Sequence, residues 1–219
     1  MSFLKYEMSK KGKELIDLYL IMAENGYIDI TNVEVTNPFS QMEIKKPKHE
    51  IKELFVSRNI KSLLDYGCGG SDYDKKGFNE QQTAKEFFNL DTVRCYEPAR
   101  NIDERIKSDT VVCFDVLEHI YLLDIGSFIR ELFDLANKLV IVNIACYKAR
   151  ALLPNGENAH ITVRDPLWWK GVFDIIALEY PNIEYQLIVS RSYDLMEFFK
   201  PQKMSKYENS KTFETYLQQ

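Results

Sequence analysis

The sequence predicts an α/β fold: a doubly wound, mainly parallel sheet with helices on both faces and an antiparallel C-terminal strand. Apolar strand-like segments alternate with segments of helical periodicity between residues 60 and 200. A glycine-dense turn follows the first of these strands. Acids recur where predicted strands end, at Asp65, Glu97 and Asp115. Ligands of such sheets bind at the carboxyl ends of the strands, so we expect a site there.

The 219-residue chain is expected to form one main domain, because its length suffices to bury a full α/β core. Residues 60–200 carry the alternating pattern. Residues 1–59 are predicted to form a helical extension packed on that core, and residues 201–219 a polar tail.

Two helices are predicted in the extension. Ser9 is a candidate N-cap and Asn25-Gly26 a stop signal, which predicts a helix over residues 9–24. Pro47 is expected to open a second, short helix after an irregular polar stretch.

The first predicted strand leads into the glycine turn. Ile60, Leu63 and Leu64 supply its apolar positions, and Asp65 is expected to end it. Glycines 67, 69 and 70 have no Cβ atoms, so we expect their backbone N–H groups to be free to face a ligand.

The next segments complete a strand–helix–strand unit. Asn79 and Gln82 have the spacing of an N-cap and third residue, which predicts a helix carrying Phe87 and Phe88. A strand over residues 92–96 then ends in Glu97, whose carboxylate is suited to bind the two hydroxyls of a ribose.

The remaining elements continue the alternation. Periodicity and apolar runs predict, in order, a strand over 109–115, a helix over 125–136, a buried strand over 139–145, a helix around 168–178, and a closing antiparallel pair over 183–190 and 193–199.

Composition excludes several classes of partner. The formal net charge of −5 disfavours nucleic acid, since phosphates are repelled. The four cysteines lack C-x-x-C spacing, which favours reduced thiols and no metal site. No apolar stretch is long enough to span a membrane and the N-terminus lacks a signal-peptide pattern, so we expect a cytoplasmic protein without a membrane partner.

Three motifs together resemble class I S-adenosylmethionine-dependent methyltransferases, including small bacterial and phage methyltransferase-domain proteins. They are the Asp65–Gly70 turn, Glu97, and the run Phe114-Asp115-Val116-Leu117-Glu118-His119-Ile120. The resemblance spans about residues 60 to 200 and implies a Rossmann-like domain with S-adenosylmethionine as cofactor. The cofactor-binding residues it implies are Asp65, Gly67, Cys68, Gly69, Gly70, Glu97, Pro98, Asp115, Val116 and Leu117.

One departure from the family pattern concerns the adenine. Only residues 98–108 separate Glu97 from Asp109, where the family usually has a helix, a third strand and an acid that binds the adenine amino group. We therefore expect that strand to be missing or vestigial. Apolar contacts and backbone groups of residues 98–117 are expected to hold the adenine instead.

The candidate substrate face follows the strand that ends near Ala145. Residues 153–169 are rich in hydrogen-bonding and aromatic groups, which is typical of a functional loop. We predict His160 as the catalytic base, because a neutral imidazole accepts a proton near pH 7. His119 is a second candidate catalytic residue, and Tyr147, Asn158 and Trp169 are candidate substrate-binding residues.

The function implied by the resemblance is methyl transfer by direct displacement to an oxygen or nitrogen of a small molecule or glycan. A catalytically silent S-adenosylmethionine-binding or adaptor protein is the alternative. A nicotinamide-dependent reductase is a third interpretation of the glycine turn. The sequence leaves the acceptor and the oligomeric state open.

Overall fold

The computed structural model describes residues 7–192, 195–199 and 215–218. Its helices are α1 (Lys10–Asn25), α2 (Lys48–Ser57), α3 (Ala84–Phe88), α4 (Leu122–Leu135) and α5 (Pro166–Ala177). Its strands are β1 (Tyr27–Ile28), β2 (Glu34–Val35), β3 (Ser62–Tyr66), β4 (Thr92–Glu97), β5 (Ile102–Asp103), β6 (Ser108–Phe114), β7 (Ala136–Ala145), β8 (Glu184–Ser192), β9 (Leu195–Phe199) and β10 (Thr215–Gln218).

An eight-stranded sheet in the order β10-β9-β8-β7-β6-β3-β4-β5 forms the centre of the molecule. The five central strands, from β8 to β4 in this order, run parallel to one another. β5, β9 and β10 run antiparallel at the two edges. This confirms the predicted α/β class, the mainly parallel sheet and the closing antiparallel pair.

Both faces of the sheet are covered, because successive side chains of a strand point to opposite faces. On one face Leu64, Val140 and Leu187 pack with α4 and α5. On the other, Leu63 and Ile141 pack with α2 and α3. The two layers account for the long apolar runs of β6 and β7, which are buried on both sides.

Helix α1 has the predicted ends. The Ser9 hydroxyl accepts a hydrogen bond from the Gly12 N–H at 3.1 Å, and Gly26 follows the last turn with a φ of 73°. The buried Asp124 side chain of α4 accepts hydrogen bonds from the Ser9 N–H at 2.9 Å and the Ser9 hydroxyl at 2.7 Å. These bonds attach the N-terminal extension to the main domain.

The helix after the glycine turn differs from the prediction. Asn79 does not cap it, because Asn79 and Gln82 pair with each other in a tight turn. α3 begins at Ala84 instead, with Thr83 and Glu86 forming a capping box, and it has only five residues.

The third strand is vestigial, as the short segment between Glu97 and Asp109 predicted. β5 contains two residues and runs antiparallel to β4. All four cysteines are free thiols. No helix in the described part of the chain combines the length and apolar character needed to cross a bilayer. The predicted tail lies outside the described residues except for β10.

Leu132→Ala should lower the free energy of unfolding by about 2–5 kcal/mol, because the Leu132 side chain is fully buried on the face of α4 that packs against the sheet. Leu123→Ala on the same helix is the matched control: Leu123 is 81% exposed, so the change should be within about 0.5 kcal/mol. Denaturant titration of both variants measures the difference. Equal losses would contradict the packing of α4.

Candidate functional site

A cavity of about 410 Å³ lies at the carboxyl ends of β3, β4 and β6. Part of its wall comes from residues at the ends of these strands and just after them, including Asp65, Gly67, Cys68, Gly69, Glu97, Pro98, Asp115, Val116 and His119. The N-terminal extension supplies the opposite wall, with Leu15, Ile16, Tyr19, Pro38, Phe39 and Glu43. The extension therefore encloses the site as well as packing on the core.

Two glycines of the turn are required by close packing. Gly67 has a φ of 84°, and a Cβ there would lie 2.3 Å from a methyl group of Val116. Gly69 has a φ of 54°, and a Cβ there would lie 2.6 Å from the Phe39 carbonyl oxygen. A side chain at either position would strain the backbone. At Gly69 it would also push the turn away from the extension, and at Gly67 it would displace Val116.

The expectation that the turn has free N–H groups is wrong. The turn curls back on its own neighbours and packs under the extension, so each amide already has a protein acceptor. The amides of Gly67 and Cys68 donate to the Tyr96 carbonyl oxygen, at 2.7 and 3.2 Å; Gly69 donates to Glu97 at 2.9 Å, Gly70 to the Phe39 carbonyl oxygen at 2.8 Å, and Ser71 to the Cys68 carbonyl oxygen at 2.9 Å. The turn therefore lacks the array of free donors that binds phosphate groups.

Glu97 both holds the turn and lines the cavity. One carboxylate oxygen accepts from the Gly69 N–H at 2.9 Å and the other from the Ala99 N–H at 3.1 Å. Burial raises the pKa of Glu97 above its usual value, and the two backbone donors partly oppose that shift. Each oxygen keeps a lone pair, so the carboxylate can accept further bonds from a ligand.

Asp65 is a buried acid at the base of the cavity. It is 6% exposed, and its carboxylate accepts a hydrogen bond from the Tyr73 hydroxyl at 3.0 Å. Burial, reinforced by the charge of Glu97, raises the pKa of Asp65 to about 7.

Asp115 is a second cavity residue whose carboxyl group is less stable in its charged form than it would be in water. Its carboxylate accepts a hydrogen bond from the Asn143 amide, and its backbone has a φ of 53° at the end of β6. Burial raises the pKa of Asp115 to about 7, and the nearby Glu43 carboxylate contributes to the shift. A cation placed in the cavity would relieve both acids.

The charged lining of the cavity has one sign. Among the described residues that line it, Glu43, Asp65, Glu97 and Asp115 are acidic, and none is lysine or arginine. The remaining wall is largely aromatic and aliphatic, with Tyr19, Phe39, Tyr66, Tyr96, Phe114, Val116 and Phe128. Such a lining suits a ligand with a positive charge and a flat apolar group.

Two of the predicted cofactor-binding residues do not line this cavity. Leu117 is fully buried in the core beneath α4, because the 3₁₀ helix Leu117–His119 turns it inward. Gly70 lies beyond the Phe39 carbonyl oxygen, on the outer side of the turn.

His119 borders the cavity. Its Nδ1 lies 2.8 Å from the Ala159 carbonyl oxygen and 2.5 Å from the Tyr19 hydroxyl oxygen. The carbonyl can only accept, so we assign the ring proton to Nδ1 and a lone pair to Nε2. The Tyr19 hydroxyl donates to the same carbonyl at 3.1 Å. Burial, followed by the neighbouring His160, lowers the pKa of His119 to about 3, which leaves its ring neutral.

His160 lies behind His119 and is not part of the cavity lining. The two rings meet edge to face with centroids 4.9 Å apart. The His160 Nδ1 donates to the Tyr147 carbonyl oxygen at 2.5 Å, and burial lowers the pKa of the ring. The structure thus brings the two predicted histidines together but puts only His119 beside the cavity.

The predicted substrate-binding residues have other surroundings. Trp169 has no exposed surface and packs in the core with α4, so its predicted contact with a substrate is corrected. Asn158 uses its amide on the loop backbone: it accepts from Ala149 and His160 and donates to the Ala149 carbonyl oxygen. The Tyr147 ring packs beside His160, outside the cavity lining.

The sequence analysis missed the lining residues of the extension, among them Tyr19, Phe39 and Glu43. Tyr19 belongs to the apolar side of α1, but that pattern does not tell which surface the helix covers. Phe39 and Glu43 follow the Asn37-Pro38 turn in an irregular stretch, where no periodic signal exists.

The chain matches no family model, no curated protein and no solved structure in the three comparisons made. The residues of the cavity and their chemistry must therefore carry any functional conclusion.

Asp115→Asn should stabilise the protein at pH 8 by on the order of 2 kcal/mol relative to wild type. The folded pKa of about 7 exceeds the unfolded value of ~3.9, so the folded state binds more protons and wild-type stability falls as pH rises through that window. Asparagine carries no charge and avoids the loss.

Denaturant unfolding from pH 4 to 8 measures this effect. Asp91→Asn, at an exposed residue before β4, is the control and should follow the wild-type profile. An Asp115→Asn profile parallel to that of wild type would contradict the raised pKa.

Proposed function

We propose that the protein binds S-adenosylmethionine in this cavity and transfers its methyl group to a small-molecule or glycan acceptor. The observation that carries the proposal is the all-acidic charge of a partly aromatic cavity at the strand ends. A sulfonium nucleoside combines a positive charge with a flat apolar base, which is the chemistry this lining favours.

The strand order supports a Rossmann-like interpretation of the fold. Numbered along the chain, the five parallel strands have the spatial order 2-1-3-4-5, which is a doubly wound order. Its switch point lies between β3 and β6, the first and third of these strands. Ligands of doubly wound sheets bind in the crevice at that point, and Asp65 and Asp115 border it.

The glycine turn argues against a dinucleotide. A pyrophosphate needs free N–H groups or cationic side chains, and the amides of residues 67–71 already have acceptors. The described lining also contains no lysine or arginine. Four carboxylates would repel a diphosphate, so the nicotinamide-dependent reductase is disfavoured.

We place the ribose at Glu97, whose free lone pairs can accept from both hydroxyls. The adenine then lies against the apolar wall that includes Pro98 and Val116. We place the cationic sulfonium and ammonium groups beside Asp65 and Asp115, because burial makes the charged forms of both carboxyl groups unfavourable and Lys46 offsets this only in part at Asp115.

Transfer would proceed by in-line displacement. An acceptor oxygen or nitrogen forms a bond to the methyl carbon while the carbon–sulfur bond breaks and its electron pair stays on sulfur. The acceptor's proton passes to the Nε2 lone pair of His119 or to water. The extension residues Tyr19 and Phe39 would exclude water and hold the reactants close together. We place the acceptor next to His119, the histidine that borders the cavity.

A catalytically silent S-adenosylmethionine-binding protein is the second candidate, because His160 does not line the cavity. Incubation with S-adenosylmethionine carrying a labelled methyl group and a metabolite extract separates the two. Label in a product supports transfer, whereas tight binding without S-adenosylhomocysteine formation supports the silent protein.

Glu97→Ala should weaken S-adenosylmethionine binding by about 1.5–3 kcal/mol in isothermal titration, the range for lost hydrogen bonds to a charged group. Gly69→Val should abolish binding, since its side chain would meet the Phe39 carbonyl oxygen. Asp103→Ala, an exposed carboxylate outside the cavity lining, should leave affinity within about twofold.

Circular dichroism of each variant provides the folding control. Folded Glu97→Ala protein with the wild-type affinity would contradict the ribose position, and a tenfold loss in Asp103→Ala would show that the adenine lies elsewhere.

Affinity for S-adenosylmethionine should rise between pH 6 and 8, because Asp65 and Asp115 must ionise to attract the cation and their pKa values are about 7. Neutral S-adenosylhomocysteine lacks the sulfonium and should show a smaller rise. Titrations of both nucleosides across this range provide the measurement; equal slopes would contradict the electrostatic role of the two acids.

A further inference from the structure

A second group of side chains lies at the edge of the cavity: His119 belongs to the lining, and Glu118 and His160 lie behind it. Glu118, His119 and His160 each offer a ligand atom, and these atoms lie within 4.8 Å of one another. We propose that the three residues bind a divalent transition-metal cation, with Zn²⁺ as the ion to test first.

The buried carboxylate of Glu118 has only one of its two oxygens hydrogen-bonded. Its side chain has no exposed surface, and one oxygen accepts from the Ala145 N–H at 2.9 Å. The other oxygen has no hydrogen-bond partner among the residues that the structure describes. A buried, half-satisfied carboxylate is costly, and a bound cation would supply the lacking interaction.

The two histidines have a hydrogen-bonding pattern that is typical of metal ligands. Each Nδ1 lies against a carbonyl oxygen, that of Ala159 for His119 and that of Tyr147 for His160. A carbonyl cannot donate, so we assign the proton of each ring to Nδ1 and a free lone pair to each Nε2. At His119 the Tyr19 hydroxyl also lies 2.5 Å from Nδ1, and it can accept from that proton. Metal-binding histidines are characteristically held by such an N–H bond to a backbone carbonyl.

The set of ligands selects the class of ion. Two imidazoles and one carboxylate suit Zn²⁺, Fe²⁺ or Mn²⁺ better than Mg²⁺, which prefers oxygen ligands. Metal–ligand distances of ~2.0–2.2 Å require the three atoms to move together by on the order of 1 Å. Three protein ligands would leave a coordination position for water or substrate.

This site goes beyond the sequence-based expectation of no metal, because His160 is far from Glu118 and His119 in the chain. Its existence does not depend on methyl transfer. If the proposed function holds, an ion beside His119 would border the acceptor region, where it could bind an acceptor hydroxyl and lower its pKa.

Protein dialysed against a chelator and titrated with ZnCl₂, without nucleoside, should bind one equivalent and melt at a higher temperature. Co²⁺ should give a visible spectrum without the intense thiolate band that bound cysteines would produce. His160→Ala and Glu118→Gln should each lower the affinity by more than ~100-fold, since loss of a ligand exceeds the loss seen for an outer partner.

His49→Ala is the matched control. The chain has three histidines, and His49 is the one outside the proposed site. It is exposed and packs beside Phe87, on the opposite side of the sheet from Trp169. It should retain the wild-type affinity and stoichiometry.

Wild-type protein that binds neither Zn²⁺, Co²⁺ nor Mn²⁺ would overturn the proposal. So would folded His160→Ala and Glu118→Gln variants, verified by circular dichroism, that bind like wild type. Because no nucleoside is present, neither result bears on S-adenosylmethionine binding, and the titrations with that nucleoside leave the metal site untested.

Discussion

The contact between the glycine turn and the extension is the constraint on which the cavity depends. The Gly70 N–H donates to the Phe39 carbonyl oxygen, and Gly69 approaches that oxygen too closely for any Cβ atom. One wall of the cavity is thereby joined to the other. Asp124, which binds Ser9, attaches the start of α1 in the same way, so the cover is part of the folded domain.

Enclosure by the extension explains the electrostatics of the site. Asp65 and Asp115 would titrate near 4 in water, and their removal from solvent raises their pKa values to about 7. Burial of these two carboxyl groups destabilises their charged forms, and a cation bound in the cavity would stabilise those forms. The preference that we propose for a cationic ligand over a phosphate therefore has the same physical origin as the raised pKa values, namely burial of the carboxyl groups.

The segment after β6 connects the cavity with the histidine pair. A short 3₁₀ helix turns Leu117 into the core, Glu118 toward the Ala145 amide and His119 toward the cavity. Three successive residues thus have three different environments. The Asn158 side chain accepts hydrogen bonds from the Ala149 and His160 amides. These bonds fix the backbone of the loop and so position the His160 ring beside His119.

Local chemistry made much of the fold predictable. Ser9 and Gly26 cap the two ends of α1, and Pro47 precedes α2. The apolar runs of β6 and β7 form strands that are buried on both faces. These signals act through neighbouring backbone atoms or through a regular period, so they can be recognised without knowledge of distant contacts. The acids at the ends of β3 and β6 were located by the same reasoning.

The remainder depends on contacts between residues that are far apart in the chain. The amides of the glycine turn were expected to be free. The Gly69 and Gly70 amides have acceptors because Glu97 and Phe39, which are distant in the chain, lie next to them in the fold. Likewise, the sequence by itself determined the alternating elements and the acids at the strand ends. Tertiary structure alone decided that Tyr19 covers the cavity and that His160 lies behind His119, because packing of separate elements, not local preference, sets those distances.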